Sequence, residues 1–336
     1  MNFSVHRRGF ARALVGLALA TVVLPAPLAS ATTGSDAGST SGSLESSGLA
    51  DAVHPDWMAG LPDGAGLAEL SLPGTHDTMA SGASVFALTQ DADLTTQLRA
   101  GVRAVDIRTR HFRDTFPIHH GIEYLNADFT DVVVALTDFL RANPSEAIVM
   151  RLKEEYTPAE NTRSYEETLN WYIDQNPETS SRLREHLWRP PAGYDGGLPR
   201  LGEARGKLVV LRNFDAVAWP GPRFGDASMA IQDTYELTGL ADIGRKWDLI
   251  RAQFERSRTG SSDILFVNHL SATGNPAAMV TGTVPVTVAR GAPGVVGILP
   301  RTQEYLEAGG RGRLGAVMAD FPTAELVTEI IAHNFP

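Results

Sequence analysis

Two pairs of ionisable residues occur where strand-like segments of this sequence end. His76 and Asp77 follow a Pro-Gly break in "LSLPGTHDTMA", and His119 and His120 stand together in "PIHHGIEY". Histidine changes charge near neutral pH, so two histidines in one cleft can act as a general base and a general acid. We expect His120 rather than His119 to face such a cleft, because neighbouring residues on a strand point to opposite sides.

Other strand-like segments carry candidate partners for these histidines. Asp106 and Arg108 in "VRAVDIRTR" are two residues apart, so they share one face of an extended segment. A guanidinium can bind two phosphoryl oxygens at once, and a buried carboxylate can fix the tautomer of a histidine. Further polar groups accompany the remaining segments: Lys153, Glu154 and Glu155; Arg205; Asp233 and Tyr235; Asn268 and His269; and Asp320.

These residue types favour phosphoryl transfer over acyl transfer. The chain has no cysteine, which excludes a thiol nucleophile and cysteine-bound metals, and it has no G-x-S-x-G motif. Two histidines and an arginine, without a protein nucleophile, indicate that a hydroxyl group of the substrate attacks a phosphodiester.

The elements that must position these residues alternate along the chain. Strands are predicted at 67–72, 102–107, 116–119, 147–152, 207–211, 229–232, 264–268 and 315–320, and helices at 130–141, 165–174, 238–254 and 324–332. This order, without an internal repeat, predicts an α/β single domain with an irregular or incomplete (β/α)₈ barrel. A doubly wound open sheet is the main alternative. In a barrel the C-terminal strand ends meet, so the polar groups would converge on one cleft.

The N-terminal residues have the composition of a secretory signal peptide. Three arginines precede an apolar run at 13–24, and "ASA" ending at Ala31 is typical of a cleavage site. We expect a signal peptide at 1–31, a flexible linker at 32–50 and a catalytic barrel at 51–336. The protein is then secreted by the Sec or the twin-arginine route, and an uncleaved anchor is the alternative.

The net charge restricts the partners. Removal of residues 1–31 takes away three arginines and no acidic residue, which changes the net charge from −10 to −13. Nucleic acid is excluded as a partner because no basic patch is evident, and purely electrostatic docking on an anionic bilayer is disfavoured. We expect a monomer.

The ordered motifs "SLPGTHDTMA", "VRAVDIRTR", "IHHGIEYLN", "PSEAIVMRLKEEY", "ARGKLVVLRNF" and "VMADFP" resemble the bacterial phosphatidylinositol-specific phospholipases C. The likeness runs from about residue 67 to 322. It implies an incomplete barrel and a peripheral enzyme whose substrate, phosphatidylinositol, lies in a membrane surface. The implied reaction is attack of the inositol 2-hydroxyl on the phosphodiester, which yields diacylglycerol and inositol 1,2-cyclic phosphate. Glycosylated inositol anchors are a possible second substrate.

The resemblance also implies roles for individual residues. His76 would be the general base and His120 the general acid, while Arg108 would stabilise the transition state. Asp320 would orient His76, and Asp77 would couple to His120 and Arg108; Asp106 is predicted to pair with Arg108. The inositol contacts would be Lys153, Arg205, Asp233 and Tyr235.

Arg108 also determines the expected cofactor requirement. Calcium-dependent relatives have a metal-binding carboxylate where this chain has Arg108, so the resemblance implies an enzyme without a metal cofactor. Structural roles remain open for Lys153 and Arg205 as solvated charges, and for His269 as a loop histidine. Trp219 is either a membrane-contacting or a packed loop residue. The alternative functions are an inactive lipid- or sugar-binding module and a metal-dependent glycerophosphodiesterase.

Overall fold

The structure, a computed structural model, describes residues 48–194 and 196–336. Its strands are β1 (Leu72–Thr75), β2 (Ala104–Thr109), β3 (Pro117–His120), β4 (Glu123–Asp128), β5 (Ala147–Glu154), β6 (Lys207–Asn213), β7 (Met229–Gln232), β8 (Glu236–Leu237), β9 (Leu265–His269), β10 (Thr273–Gly274), β11 (Gly291–Ala292), β12 (Val295–Val296) and β13 (Ala316–Ala319). Seven parallel strands form a curved sheet in the order β6-β5-β2-β1-β13-β9-β7. Among these described residues no strand pairing joins β6 to β7, so the barrel is open on that side.

The described residues form ten α-helices, of which the longer ones cover the outside of this sheet. They are α1 (Leu94–Ala100), α2 (Phe129–Ala142), α3 (Tyr165–Asp174), α4 (Ser180–His186), α5 (Leu201–Ala204), α6 (Ile243–Thr259), α7 (Pro276–Val280), α8 (Pro285–Arg290), α9 (Ile298–Ala308) and α10 (Ala324–Ala332). Asp128 and Ser164 cap α2 and α3 by accepting bonds from backbone N–H groups of the first turn. Helix α6 begins five residues later than predicted, because Leu240–Asp242 form a separate 3₁₀ turn.

Side chains point alternately to the two faces of each barrel strand, and this alternation decides which of them reach the barrel interior. On β5, Ala147 and Val149 pack inside the barrel, whereas Ile148, Met150 and Leu152 pack against the outer helices. Every second residue of β5 therefore faces the interior, and this row of side chains continues through positions 151 and 153 towards the C-terminal end of the strand. The corresponding rows of the other barrel strands end at His76, Asp106 and Arg108, Asn213, Asp233, His269 and Asp320.

The predicted strand at 116–119 is not a barrel strand, which corrects one of the eight assignments. β3 instead pairs antiparallel with β2 and with β4, forming a hairpin beside the barrel. Only seven residues separate β2 from β3, and a parallel crossover needs a dozen or more. The prediction at 67–72 is also shifted, since Leu67–Glu69 form a 3₁₀ turn and β1 begins at Leu72.

The N-terminal end of the barrel is closed by the segment that precedes β1. Leu49, Trp57, Met58, Leu61 and Leu67 from this segment pack into the interior core. Since Leu49 is already buried in a 3₁₀ turn, the folded part begins at least two residues before the predicted boundary at 51. The predicted signal peptide and most of the linker lie outside the described residues. No helix in the described part of the chain is long and apolar enough to span a bilayer.

Candidate active site

A cleft of about 340 Å³ opens at the C-terminal end of the barrel. It is formed by the ends of β1, β2, β3, β5, β7 and β13 and by the loops after β1 and β9. Its lining residues are His76, Phe86, Thr89, Arg108, His120, Gly121, Arg151, Lys153, Glu155, Asp233, Tyr235, Ser271, Ala272, Thr273, Pro285 and Asp320. Most of the residues predicted from strand ends therefore line this one cleft, and Asp77 and Asp106 are buried against Arg108.

His76 lies between a carboxylate and a guanidinium. Its Nδ1 is 2.8 Å from Oδ1 of Asp320, and its Nε2 is 2.6 Å from Nη2 of Arg108. Because an arginine nitrogen can only donate, Nε2 accepts and Nδ1 carries the ring proton. Burial, and then the positive charge of Arg108, holds the pKa of His76 well below its usual 6.5. The ring is therefore neutral at pH 7, with its unprotonated nitrogen on the side of Arg108.

His120 has the opposite electrostatic environment. It is the last residue of β3, and its Nδ1 lies 2.8 Å from Oδ2 of the buried Asp77. Asp77 itself has a φ of 43°, in the left-handed region that aspartate tolerates better than most residues. Burial lowers the pKa of His120, but the adjacent Asp77 carboxylate more than offsets this, and the pKa is raised above 6.5. His120 thus holds its proton more strongly than a free histidine.

Arg108 connects the two histidines. Its Nε and Nη2 donate to Oδ2 of Asp106 at 3.0 and 2.9 Å, and its Nη1 is 3.4 Å from Oδ2 of Asp77. Burial raises the pKa of Asp106, but Arg108 and Arg151 more than offset it and keep the pKa well below its usual value. Asp106 is therefore ionised and fixes one edge of the guanidinium, while the Nη1 edge has only the longer ionic contacts.

The β5 wall of the cleft contains a residue that the sequence analysis missed. Arg151 donates from Nε to Oδ1 of Asn213 at 2.9 Å, stacks 4.2 Å from the ring centre of Phe224, and has Nη1 3.5 Å from Asp106. Strand alternation could have identified it, since Arg151 is two residues before Lys153. Lys153 lies 2.5 Å from Glu155, so the two form an ion pair in the cleft wall.

The opposite wall is formed by the segment that follows β7. Asp233 and Tyr235 both line the cleft, and the Tyr235 side chain is exposed. His269, at the end of β9, lies edge-on to His76 with 5.7 Å between ring centres and has Nδ1 3.9 Å from Oδ1 of Asp233. Burial lowers the pKa of His269 to about 4. His269 is thus a neutral packing partner of the His76 ring rather than a loop histidine.

Arg205 is not in the cleft, which corrects its prediction as an inositol contact. It precedes β6 and lies at the N-terminal end of the barrel, where Nε pairs with Asp63 at 2.6 Å. Its Nη atoms donate to the carbonyl groups of Met58, Leu61 and Ser145. A residue before a barrel strand belongs to the end opposite the cleft. Arg205 therefore anchors the segment that closes the barrel.

Trp219 is a residue for which the sequence left two roles open. Trp219 packs edge-on against Phe214 and lines a small cavity outside the barrel, so it is a packed loop residue. Within the described ranges, no group of three or more His, Cys, Asp or Glu side chains is arranged to hold a metal ion. The cleft residues Phe86, Ser271 and Pro285 come from the loop after β1, the short connection from β9 to β10 and the start of α8, and their sequence carried no signal of this placement.

Comparison with known proteins identifies relatives of the whole folded region. A family model described as phosphatidylinositol-specific phospholipase C, X domain, matches residues 67–213. The 1-phosphatidylinositol phosphodiesterase of Listeria monocytogenes is 32% identical over 305 residues, covering 83% of this chain and 84% of that protein. The protein of the same name from Staphylococcus aureus strain Newman is 27% identical over 319 residues, with 83% and 94% coverage.

Solved structures show the same likeness. The phosphatidylinositol-specific phospholipase C from Listeria monocytogenes aligns with a TM-score of 0.69 and 28% identity, over 84% of this chain and 100% of that chain. A Staphylococcus aureus phosphatidylinositol-specific phospholipase C, solved in work on membrane binding, aligns with a TM-score of 0.70 and 25% identity, over 86% and 100%. Both the sequence and the fold of this chain are thus similar to those of the same bacterial proteins.

Proposed function

Because the chain belongs to the bacterial phosphatidylinositol-specific phospholipases C, we propose that it cleaves phosphatidylinositol by intramolecular transesterification. One observation carries the proposal: His76 and His120 contact the same arginine–carboxylate cluster, and their pKa values are displaced in opposite directions. Two titratable groups with opposite displacements are the signature of a base and an acid that act together near neutral pH.

In the first step the inositol 2-hydroxyl attacks phosphorus. His76 accepts the hydroxyl proton at Nε2, which is the nitrogen not bonded to Asp320. The developing imidazolium is stabilised by the Asp320 carboxylate, in the role of the triad carboxylate. For this transfer the substrate hydroxyl replaces the Arg108 contact at Nε2, and the freed guanidinium donors turn to the non-bridging phosphoryl oxygens.

In the second step the bond from phosphorus to the diacylglycerol oxygen breaks. His120 gives its proton to that oxygen from Nε2, because Nδ1 contacts Asp77. The products are diacylglycerol and inositol 1,2-cyclic phosphate. Arg108, held by Asp106 and Asp77, stabilises the negative charge that the phosphoryl oxygens gain between the two steps.

The inositol ring contacts the two walls that flank the histidines. Lys153 and Arg151 supply donors from β5, while Asp233 supplies acceptors from the opposite wall. Tyr235 provides an exposed aromatic face for the apolar side of the ring. Arg151 takes the role that the sequence analysis assigned to Arg205.

The reaction requires no metal ion under this proposal. The guanidinium of Arg108 already supplies fixed positive charge and paired donors at the position of the phosphoryl group. Asp77, Asp106 and Glu155 all lie within 4.0 Å of that guanidinium. A divalent cation recruited by these carboxylates would meet the positive charge of Arg108.

The rim of the cleft supports peripheral action at a lipid surface. Residues 81–90 and 270–289 carry no charged side chain, and they contribute Phe86 and Pro285 to the cleft. Val85, Phe86 and Ile122 are 53%, 49% and 77% exposed. Ser84 donates to Glu123 at 2.7 and 2.6 Å, which ties the first rim loop to the β3–β4 hairpin. The bilayer contact is thus apolar, in agreement with the acidic net charge.

Phosphorus NMR of phosphatidylinositol in micelles tests the reaction and the metal requirement together. We expect the cyclic phosphodiester resonance to appear first, at a rate unchanged by excess chelator. Acyclic inositol phosphate as the first product would overturn the transesterification mechanism. A rate that collapses on chelation and returns with calcium would overturn the metal-free assignment alone.

The rim is tested with a single substitution. Phe86→Ser should reduce cleavage of phosphatidylinositol in zwitterionic vesicles by about tenfold, since burial of one large apolar side chain contributes about 1.5–3 kcal/mol. Ile173→Val, in the outer core, is the matched control. If the vesicle affinity of Phe86→Ser in a sedimentation assay is unchanged, Phe86 does not contact the bilayer.

Secretion is proposed on the sequence of the first 31 residues. The full-length chain expressed in a bacterial host should appear in the medium with Thr32 as its first residue. N-terminal sequencing checks this, and a cell-associated chain that retains Met1 would contradict it.

A further inference from the structure

Lys246 is a buried lysine that the proposed mechanism does not use. It is on α6, its side chain is 1% exposed, and its Nζ donates to the carbonyl of Thr234 at 2.7 Å and to Oε1 of Gln232 at 3.3 Å. Both acceptors belong to residues adjacent to Asp233. A lysine is almost never fully buried unless it has a partner, so these two hydrogen bonds indicate a structural or functional role for Lys246.

Gln232 extends this contact to the neighbouring strand. Its Oε1 also accepts from the backbone N–H of Thr234 at 2.9 Å, while its Nε2 donates to Oδ1 of Asn268 and to the carbonyl of His269, each at 2.9 Å. Lys246 and Gln232 therefore hold the backbone on both sides of Asp233 against the end of β9. The segment from Gln232 to Tyr235 is fixed to the layer that contains the packing partner of His76.

The hydrogen bonds of Lys246 explain why a polar group occupies this position. Burial lowers the pKa of Lys246 to about 7, with the negative charges of Asp233 and Asp320 opposing this effect. An apolar side chain could fill the same space, but it could not bind the Thr234 carbonyl. Burial of a polar group is costly unless hydrogen bonds of this kind compensate it.

We propose that Lys246 is a positioning residue for substrate binding, which holds the Gln232–Tyr235 segment so that Asp233 and Tyr235 meet the inositol ring. The inference rests on the headgroup role proposed above for these two residues. Lys246 does not touch the substrate, and it acts on affinity through Asp233. Its removal should therefore raise KM and leave kcat nearly unchanged.

A double-mutant cycle with Lys246→Met and Asp233→Asn tests this mechanism. Each single variant should raise KM for phosphatidylinositol by about tenfold, the loss expected for one hydrogen bond to a charged group. The KM of the double variant should be no higher than that of the single variant with the larger increase, because the effects of residues that act as one unit are not additive. Arg251→Met is the matched control on the exposed face of α6, and it should leave KM unchanged.

The other outcomes of this cycle distinguish the positioning role of Lys246 from the headgroup role of Asp233. Multiplicative effects, with KM raised about a hundredfold in the double variant, would overturn the positioning role of Lys246 and leave the headgroup role of Asp233 intact. An unchanged KM in Asp233→Asn would overturn the headgroup role and, with it, the positioning role. If Lys246→Met does not fold, Gln232→Leu is the substitute test. It removes the Oε1 atom that accepts hydrogen bonds from Lys246 and from the backbone N–H of Thr234. Gln232→Leu should raise KM in the same selective way, and an unchanged KM would overturn the proposal.

Discussion

Two buried arginines stand at opposite ends of β2, and they differ in what their donors contact. Arg103 precedes the strand and is 0% exposed, and its Nε and Nη2 reach Glu146. Its Nη atoms also donate to backbone carbonyls of His54, Pro55, Leu98 and Val102. Arg108 lies near the other end, beside the cleft, and its Nη1 has only ionic contacts of 3.4 and 4.0 Å.

This difference separates an arginine whose donors are bound within the protein from one whose donors can meet a ligand. Burial lowers the pKa of Arg103 to about 10, with Glu146 opposing it, whereas nearby carboxylates more than offset burial and raise the pKa of Arg108. Both residues are therefore charged at neutral pH, and charge alone does not distinguish them. What distinguishes Arg108 is a guanidinium edge that faces the cleft with donors available to a ligand.

The largest expected effect comes from the matched substitutions Arg108→Lys and Arg103→Lys. Arg108→Lys keeps the charge but loses the paired donors, so kcat should fall roughly 10²–10³-fold, as for loss of one transition-state donor. Arg103→Lys should leave kcat within about twofold. It should lower the free energy of unfolding by about 3 kcal/mol or more, since several buried carbonyls lose their donor.

Steady-state kinetics on phosphatidylinositol and urea denaturation of both variants measure these two effects. The contrast fails if Arg108→Lys retains near-full activity. It also fails if Arg103→Lys loses kcat without a change in unfolding free energy, because the closed end of the barrel would then contribute to catalysis.

The pH profile of activity should likewise be set by the groups around Arg108, at the cleft end of β2. Under the proposed mechanism, activity needs neutral His76 and protonated His120. The rate therefore falls on the acid side as His76 gains a proton below its usual 6.5, and on the alkaline side as His120 loses its proton above 6.5. Asp77→Asn removes the carboxylate that raises the pKa of His120, while burial remains and lowers it.

The alkaline limb of the kcat profile should accordingly move to lower pH in Asp77→Asn, and the acid limb should move little. A displacement of one pH unit corresponds to about a tenfold change in rate on that limb. Glu146→Gln, at the closed end, is the control that should leave the profile in place. If the alkaline limb of Asp77→Asn lies at the same pH as that of the unmodified protein, His120 is not the general acid.

Much of the fold and most of the cleft could be predicted from the sequence, for identifiable reasons. The helices α3 and α10 have the predicted bounds because capping residues and apolar periodicity agree at their ends. The cleft contains His76, His120, Arg108 and Asp320 as expected, since each follows or ends an apolar strand.

The failures have equally specific causes. The composition of residues 116–119 is typical of a strand and predicts a barrel strand, but the seven residues that separate β3 from β2 are too few for a parallel crossover. Lys246 gave no signal, because its role depends on a packed helix face. Arg205 was predicted in the cleft although it precedes β6, and Arg151, which lies towards the C-terminal end of β5, was not among the predicted residues. The end of a strand on which a polar residue lies, rather than its nearness to a strand, decides whether it can reach the cleft.

The smallest expected effect tests that last correction. Arg151→Lys should raise KM by about tenfold, because the planar fork that stacks on Phe224 cannot be reproduced by an ammonium. Arg205→Lys should leave kcat and KM within about twofold and lower the free energy of unfolding by about 1–2 kcal/mol, through the lost carbonyl contacts at the closed end. Kinetics and urea denaturation on the same preparations compare the two. If Arg205→Lys raised KM at unchanged stability, the N-terminal end of the barrel would influence headgroup binding, and position along a strand would not separate structural from functional arginines in this protein.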